Sequence, residues 1–256
     1  MKLLIHLSYL GTHYCGYQVQ ANGESIQGRL NEAAEALFGY PCDIVGCSRT
    51  DSGVHANHFC ASVSKRGESN LSTDIPIDRI PQAFSAHLPD DIRVFDAEWV
   101  GSEFHARYDV VEKEYLYRIY NHRIMNPFEI DRAYHFPKGI DAASFDRMQT
   151  AAKYFLGTQD FSAYMAQGSK VADTVRTVTE SEISREGNLI IYRVAANGFL
   201  YNMVRIIVGT LLDVALGKIE PNDIPKITKS RDRKQAGFTA PACGLYLNRV
   251  IYPFSK

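Results

Sequence analysis

Apolar residues recur along this chain in two rhythms, one of two residues and one of about 3.6, and the rhythms come in blocks. Lys2 to Tyr9 is a dense extended run and reads as a strand. A helix is expected from about Ser25, with Ile26, Leu30, Ala33, Ala34 and Leu37 on one stripe and Gly39 just past its end. Cys42 to Cys47 and Ala56 to Ser64 read as strands flanking a polar loop. Residues 77–87 look helical, and Asp91 to Trp99 returns as a strand. Glu114 to Tyr120, alternating and aromatic, suits another.

The later part of the chain repeats the theme. Ala142 to Leu156 predicts a helix ended by Gly157, and Val175 to Ser184 and Asn188 to Ala196 predict a strand pair around Glu186-Gly187. A long apolar helix is expected from about Phe199 to Leu216, stopped by Gly217. A short helix near Pro221 to Thr228 and a strand from Leu245 to Tyr252 follow. Strand, glycine-bearing aromatic loop and helix occur in that order at 2–38 and again at 189–216. The pattern predicts an α+β fold of two similar halves, each an antiparallel sheet backed by helices, with a cleft between them. Residues 1–105 form the first half and 106–256 the second. No Pro- or Ser-rich linker separates them, so a shared sheet or a tight interface is expected.

Composition leaves ordinary room for a core: 256 residues, 45% hydrophobic and 22% charged. No apolar run approaches a membrane span, and the first residues enter a strand pattern without the apolar segment or cleavage site of a signal peptide. The five cysteines are odd in number and show no C-x-x-C pairing, as expected of reduced packing thiols in the cytoplasm. A net charge of −1 argues mildly against a nucleic-acid partner, since phosphate binding wants a basic field. Distribution matters more than the sum. Lys226, Lys229, Arg231, Arg233 and Lys234 crowd one segment, and Arg107, Lys113, Arg118 and Arg123 crowd another. Each cluster reads first as solvated surface, offset by acids such as Asp90, Asp91, Glu180 and Glu182. A one-faced charge pattern stays open.

Three residues carry candidate chemistry. Asp51 sits in Arg49-Thr50-Asp51-Ser52-Gly53, between two strands, with no metal-ligand set or nucleotide-binding glycine pattern around it. A carboxylate held at the lip of a sheet suits covalent or acid–base catalysis, and Asp-Ser-Gly is also ordinary hairpin-turn chemistry. Arg205 lies in the most apolar helix, about a third of a turn from the Leu200/Val204/Ile207/Leu211 stripe. Its side chain either snorkels to water or serves as a fixed cation that keeps a carboxylate such as Asp51 charged. Tyr115 shares a strand face with Tyr117, where an aromatic stripe is either core or a stacking platform with a hydroxyl for proton transfer. His55, His58, Cys60 and Cys47 invite a zinc reading, but on an extended segment His55 and His58 project to opposite faces, so no metal is expected.

Several segments, in order over nearly the whole chain, resemble the TruA family of tRNA pseudouridine synthases. They are Gly11-Thr12-x-Tyr14-x-Gly16-Tyr17-Gln18, Arg49-Thr50-Asp51-Ser52-Gly53-Val54-His55-Ala56, Phe104-His105-Ala106-Arg107 and Lys113-Glu114-Tyr115-x-Tyr117. Gly198-Phe199-Leu200-Tyr201-Asn202-Met203-Val204-Arg205 and Thr239-Ala240-Pro241-x-x-Gly244-Leu245-Tyr246-Leu247 complete the set. The resemblance implies the pseudouridine synthase fold with a central RNA-binding cleft, no metal or cofactor, and a homodimer. It implies isomerisation of uridine in the tRNA anticodon stem-loop, at about positions 38–40. Asp51 would be the catalytic aspartate, Arg205 the cation orienting it, and Tyr115 the ring stacked on the flipped uracil and the base for its C5 proton. Leu245 would pack beside the base, Arg49 would enter the RNA stem, and Arg107 and Arg123 would contact phosphates. Leu10, Tyr17, Ser48 and Ser52 depart from the commonest pattern, where Asp, Trp, Gly and Ala stand. Two rivals are a synthase with another RNA target and a non-catalytic tRNA-binding or folding protein. The latter has no need to carry Asp51, Tyr115 and Arg205 together.

Overall fold

The structure, a computed structural model, describes residues 1–21, 23–168 and 171–254. The chain groups into two units: residues 1–111 with the C-terminal stretch from Tyr246, and residues 112–245. The expected boundary at 105 lies a few residues before this one, and the last strand falls mostly with the first unit.

In the first unit β1 (Lys2–Tyr9) is central, with β3 (His55–Lys65) on one side and β4 (Ile92–Val100) on the other, both antiparallel. β2 (Cys42–Gly46) adds to the far edge of β3. Pairing of Leu3 with Val63 and Ile5 with Ala61 fixes the register, so alternate apolar residues of the two strands share a face. A bulge between His6 and Leu7 shifts the pairing with β4. α1 (Ile26–Phe38) packs on β2, and α2 (Ile80–Ser85) packs on β4 and α1. The Ser25 side chain caps α1 at Gly28 N, and Gly39, at φ 76°, ends it in the left-handed conformation that glycine adopts without strain.

The second unit repeats the plan. β5 (Glu112–Tyr120), β9 (Leu189–Ala196), β8 (Val175–Glu186) and β7 (Gly157–Asp160) run antiparallel in that spatial order, with β6 (Tyr134–His135) beside the end of β5. α3 (Ala142–Lys153) packs on β8 and on α4 (Met203–Ala215), and α5 (Ile224–Ser230) follows. Every residue of α4 except Arg205 is buried. β10 (Leu245–Ile251) then pairs parallel with β3 through Tyr246 and Leu247, within the first unit.

The α+β class is the one that the periodicities predict, but the strand pairing is mixed: mostly antiparallel as expected, and parallel where β10 meets β3 and β6 meets β5. Several boundaries differ for local reasons. α4 starts at Met203, not Phe199, because Asn202 takes a left-handed φ of 58°. The expected helix over 77–87 is a 3-10 turn followed by α2, with Pro81 in its first turn. Gly157, at φ 92°, does not merely stop α3; it opens β7, which is too polar to register as a strand in the sequence. Among the described residues, no helix is long and apolar enough to cross a membrane.

Candidate active site

In the first unit, Asp51 lies on the loop joining β2 to β3, and both backbone and side-chain bonds hold that loop. The buried Thr50 hydroxyl meets Tyr9 Oη at 2.8 Å, and its carbonyl accepts Tyr17 N at 3.1 Å. Val54 N donates to Asp51 O at 3.2 Å, closing a turn in which Gly53 has φ 76°. Ser52 Oγ donates to Tyr14 O at 3.1 Å, so the serine at this position adds a bond that alanine could not make. Gly11 N donates to His55 Nδ1 at 2.9 Å. The clasping loop, residues 11–17, needs its glycines. A Cβ on Gly16 (φ 109°) would come within 2.6 Å of Thr50 O, and one on Gly11 within 2.0 Å of Val54 O.

Glycine-aromatic loop and aspartate loop are therefore one scaffold. The backbone of Asp51 is fixed by neighbours on both sides, and its side chain is half-buried. Arg49, two residues earlier, is exposed on the same loop. Arg107 is exposed in a separate loop after β4, beside Tyr108, whose ring lies 5.8 Å from the guanidinium and is 74% exposed.

Tyr17 stacks on Phe59 at 4.4 Å beneath this scaffold. Its hydroxyl is buried and has no hydrogen-bond partner among the described residues; burial pushes its pKa far above the usual tyrosine value. An unpaired buried hydroxyl costs roughly 1–3 kcal/mol. Tyr17→Phe is expected to stabilise the protein by about 1 kcal/mol, raising Tm by about 2–4 °C. Thermal melts of parent and variant check this, and a lower Tm for the phenylalanine form would contradict it.

In the second unit, Arg205 occupies the first turn of α4. Its Nε donates to Ala240 O at 2.7 Å and its Nη1 to Asn202 Oδ1 at 2.9 Å, while Ala240 N returns a bond to Arg205 O at 3.0 Å. Asn202 makes no side-chain cap bond to the helix; its side-chain Oδ1 accepts from the arginine instead. Two fixed acceptors thus hold Nε and Nη1 of a part-buried guanidinium. The strand residue Tyr115 pairs with Val194, is 7% exposed, and meets the Phe199 ring edge-on at 4.9 Å.

The segment before β10 explains its own motif. Tyr117 Oη donates to Pro241 O at 2.7 Å, and a Cβ on Gly244 would come within 2.6 Å of Arg118 O and 2.7 Å of the Tyr117 ring. Residues 240–244 are thus clamped between the start of α4 and β5, and buried Leu245 follows directly. Arg123 is exposed beyond the far end of β5, roughly 17 Å of extended strand from Tyr115.

The two basic clusters are not uniform solvated surface. Arg118 pairs with Glu129 at 2.8 Å, and Arg231 with Asp160 at 2.9 Å. Arg233 donates to Gly237 O at 2.8 Å and Thr239 Oγ1 at 3.2 Å, and burial lowers its pKa. That arginine braces the turn leading to Ala240, a role that charge counting hides. Sequence reasoning also missed Tyr9, Asn202 and Phe199 as supports; each is recognisable only through partners distant in the chain or through a special backbone angle.

Comparison with known proteins bears on these residues. The pattern of the tRNA pseudouridine synthase family matches residues 5–109 and 151–253. Arg49, Asp51 and Arg107 fall in the first matched segment, Arg205 and Leu245 in the second, and Tyr115 and Arg123 between them. The chain is 44% identical over 252 residues to tRNA pseudouridine synthase A of Acetivibrio thermocellus, spanning 98% of this chain and 99% of that protein. It is 43% identical over 258 residues to the protein of the same name in Bacillus pumilus, at 98% and 99% coverage. Among solved structures, a Cbf5-Nop10-Gar1 complex aligns with 95% of this chain and 57% of that one, at 11% identity and a TM-score of 0.37. On the matches in sequence, the chain belongs to the tRNA pseudouridine synthase family.

Proposed function

We propose that this protein converts uridine to pseudouridine in the anticodon stem-loop of tRNA, at about positions 38–40. The observation that carries the reading is 40–44% identity along almost the entire chain to proteins named tRNA pseudouridine synthase A. The reaction is an isomerisation: the N1–C1′ bond breaks, uracil turns over, a C5–C1′ bond forms, and the C5 proton leaves. A detached base must be kept from escaping, so the reaction wants an apolar wall, a charged carboxylate and a proton acceptor near C5. The target must also leave its stack.

In this reading Asp51 acts on the uridine, and Arg205 is the cation that keeps it ionised and aimed. Tyr115 stacks on uracil and takes the C5 proton, and Leu245 packs beside the base. The backbone bonding of the Asp51 loop and the double anchoring of Arg205 support these roles, because catalytic groups gain from being immobile before substrate arrives. Arg49 enters the stem, and Arg107 and Arg123 hold phosphates. The protein works as a homodimer in the cytoplasm.

Tritium release from C5-labelled uridine in a tRNA transcript tests the activity. Release from the anticodon stem-loop is the expected result. Release only from another site would replace the substrate, and tight tRNA binding with no release would leave a binding protein. Arg107→Ala is expected to weaken tRNA binding and to reduce the slope of log K against log salt by about 1, with little change in the chemical step. Binding that is unchanged from low to high salt would remove Arg107 from the interface.

A further inference from the structure

We propose that His6, His58 and Cys60 form a binding site for one zinc ion on the sheet of the first unit, with Glu98 as its outer carboxylate. The antiparallel register sets His6 of β1 opposite Cys60 of β3, and His58, two residues before Cys60, shares that face of the strand. His6 Nδ1 lies 2.8 Å from His58 Nε2, and Cys60 Sγ lies 3.5 Å from each of these nitrogens. The three ligand atoms all fall within 4.8 Å of one another.

Tetrahedral zinc has Zn–N near 2.0–2.1 Å and Zn–S near 2.3 Å, which puts nitrogen and sulfur about 3.5–3.6 Å apart and two nitrogens about 3.3–3.4 Å apart. Both sulfur–nitrogen edges already have that length. The nitrogen–nitrogen edge must open by roughly half an ångström, a small turn of one ring. A thiolate with two imidazoles is a soft, nitrogen-rich set that suits zinc and not magnesium or calcium.

The surroundings match a metal site as well. Glu98 Oε1 lies 3.2 Å from His6 Nε2, the ring nitrogen facing away from the cluster. A carboxylate there holds the proton on Nε2 and turns the Nδ1 lone pair inward, the usual outer support of a metal-bound histidine. The Phe95 ring stands 5.6 Å from His58 and 6.4 Å from His6, walling one side. Cys60 is fully buried, while the His6 side chain keeps 14% exposure and Glu98 46%, so solvent reaches the cluster from the Glu98 side. A fourth position on that side suits a water. Asp96, paired with His6 where β1 meets β4, accepts from Ala97 N through Oδ1 at 2.8 Å.

On binding, the Cys60 thiol gives its proton to solvent as the S–Zn bond forms. Two N–Zn bonds then replace the contact between the histidines. The ion would pin β1 to β3 and take no part in the proposed isomerisation.

Spacing could not reveal the trio, because His6 and His58 are 52 residues apart. Of the residues that spacing did suggest, His55 is occupied by Gly11 N and Cys47 Sγ by Cys60 N.

Titrating the chelator-treated full chain with Co²⁺, then Zn²⁺, tests the site. One equivalent of Co²⁺ is expected to give tetrahedral d–d bands and a thiolate-to-cobalt charge-transfer band, both lost on adding zinc, and zinc should raise Tm. Cys60→Ser and His58→Gln should each lose the charge-transfer spectrum or the tetrahedral bands and weaken zinc at least tenfold, about the lower bound for losing a supporting group. Glu98→Ala should weaken it roughly 10- to 100-fold. Cys15→Ser, elsewhere in the unit, should change nothing. Circular dichroism confirms folding of each variant, and Glu98→Ala, at a half-exposed position, remains informative if the cysteine variant fails to fold. Absence of the charge-transfer band in the parent, or its survival in Cys60→Ser, would reduce the trio to a hydrogen-bonded cluster.

Discussion

Replacing Asp51 with alanine should lower tritium release from tRNA by roughly 10⁴-fold or more, the scale on which removal of a central catalytic group acts. Binding of tRNA should stay within a few-fold of the parent. The separation is expected because the loop keeps several bonds that do not involve the carboxylate. Thr50 is tied to Tyr9 and Tyr17, Ser52 to Tyr14, and Val54 N to the Asp51 carbonyl, and all of these bonds survive the substitution. Asp51→Asn is the stricter variant, since it keeps the size and removes only the charge. Near-parental release from either variant would take Asp51 out of the chemistry. Equal loss of binding and of folded structure would make it a turn residue, the bland reading that its Asp-Ser-Gly context allows.

Why so much was legible follows from where the information sits. Strands dense in apolar and β-branched residues, and helices with a stripe and a terminal glycine, declare themselves locally, as β1, α1 and the β8–β9 hairpin do. β6 and β7 do not. They are short and polar, and exist because a neighbouring strand offers them partners. The candidate residues divide in the same way. Asp51, Tyr115 and Arg205 stand out because each is chemically unusual for its segment. Their supports are ordinary residues made important by distant partners. Thr50 matters through Tyr9, Asn202 through Arg205, and Arg233 through the turn at Thr239. Two glycines with large steric consequences, Gly209 and Gly237, lie where α4 and the 237–240 segment touch. A Cβ on either would clash with the other backbone, at 1.8 and 2.5 Å. A sequence shows the glycine and not the backbone that it admits.

Arg205→Leu should lower turnover by on the order of 10²–10³, the cost of losing one preorganised charged donor, while tRNA affinity changes little. Some stability will go as well. Ala240 O and Asn202 Oδ1 each lose a donor, which costs about 1–3 kcal/mol where the acceptor stays buried. The main-chain bond from Ala240 N to Arg205 O remains, so the helix start should hold. Activity is therefore compared well below the variant's Tm. Two further substitutions separate charge from aim. Arg205→Lys keeps the cation, but a single ammonium cannot reproduce a planar fork anchored at two points, so it should recover only part of the rate. Asn202→Gly keeps the left-handed backbone that this position needs and removes one anchor. It should lower kcat more than KM, because Arg205 stays charged, keeps its bond to Ala240 O and loses the one to Asn202. If Arg205→Leu and Arg205→Lys lose folding and binding together while the folded fraction keeps parental turnover, the arginine is structural. In that event its two anchors serve the fold, and the cation that steadies Asp51 must be sought elsewhere.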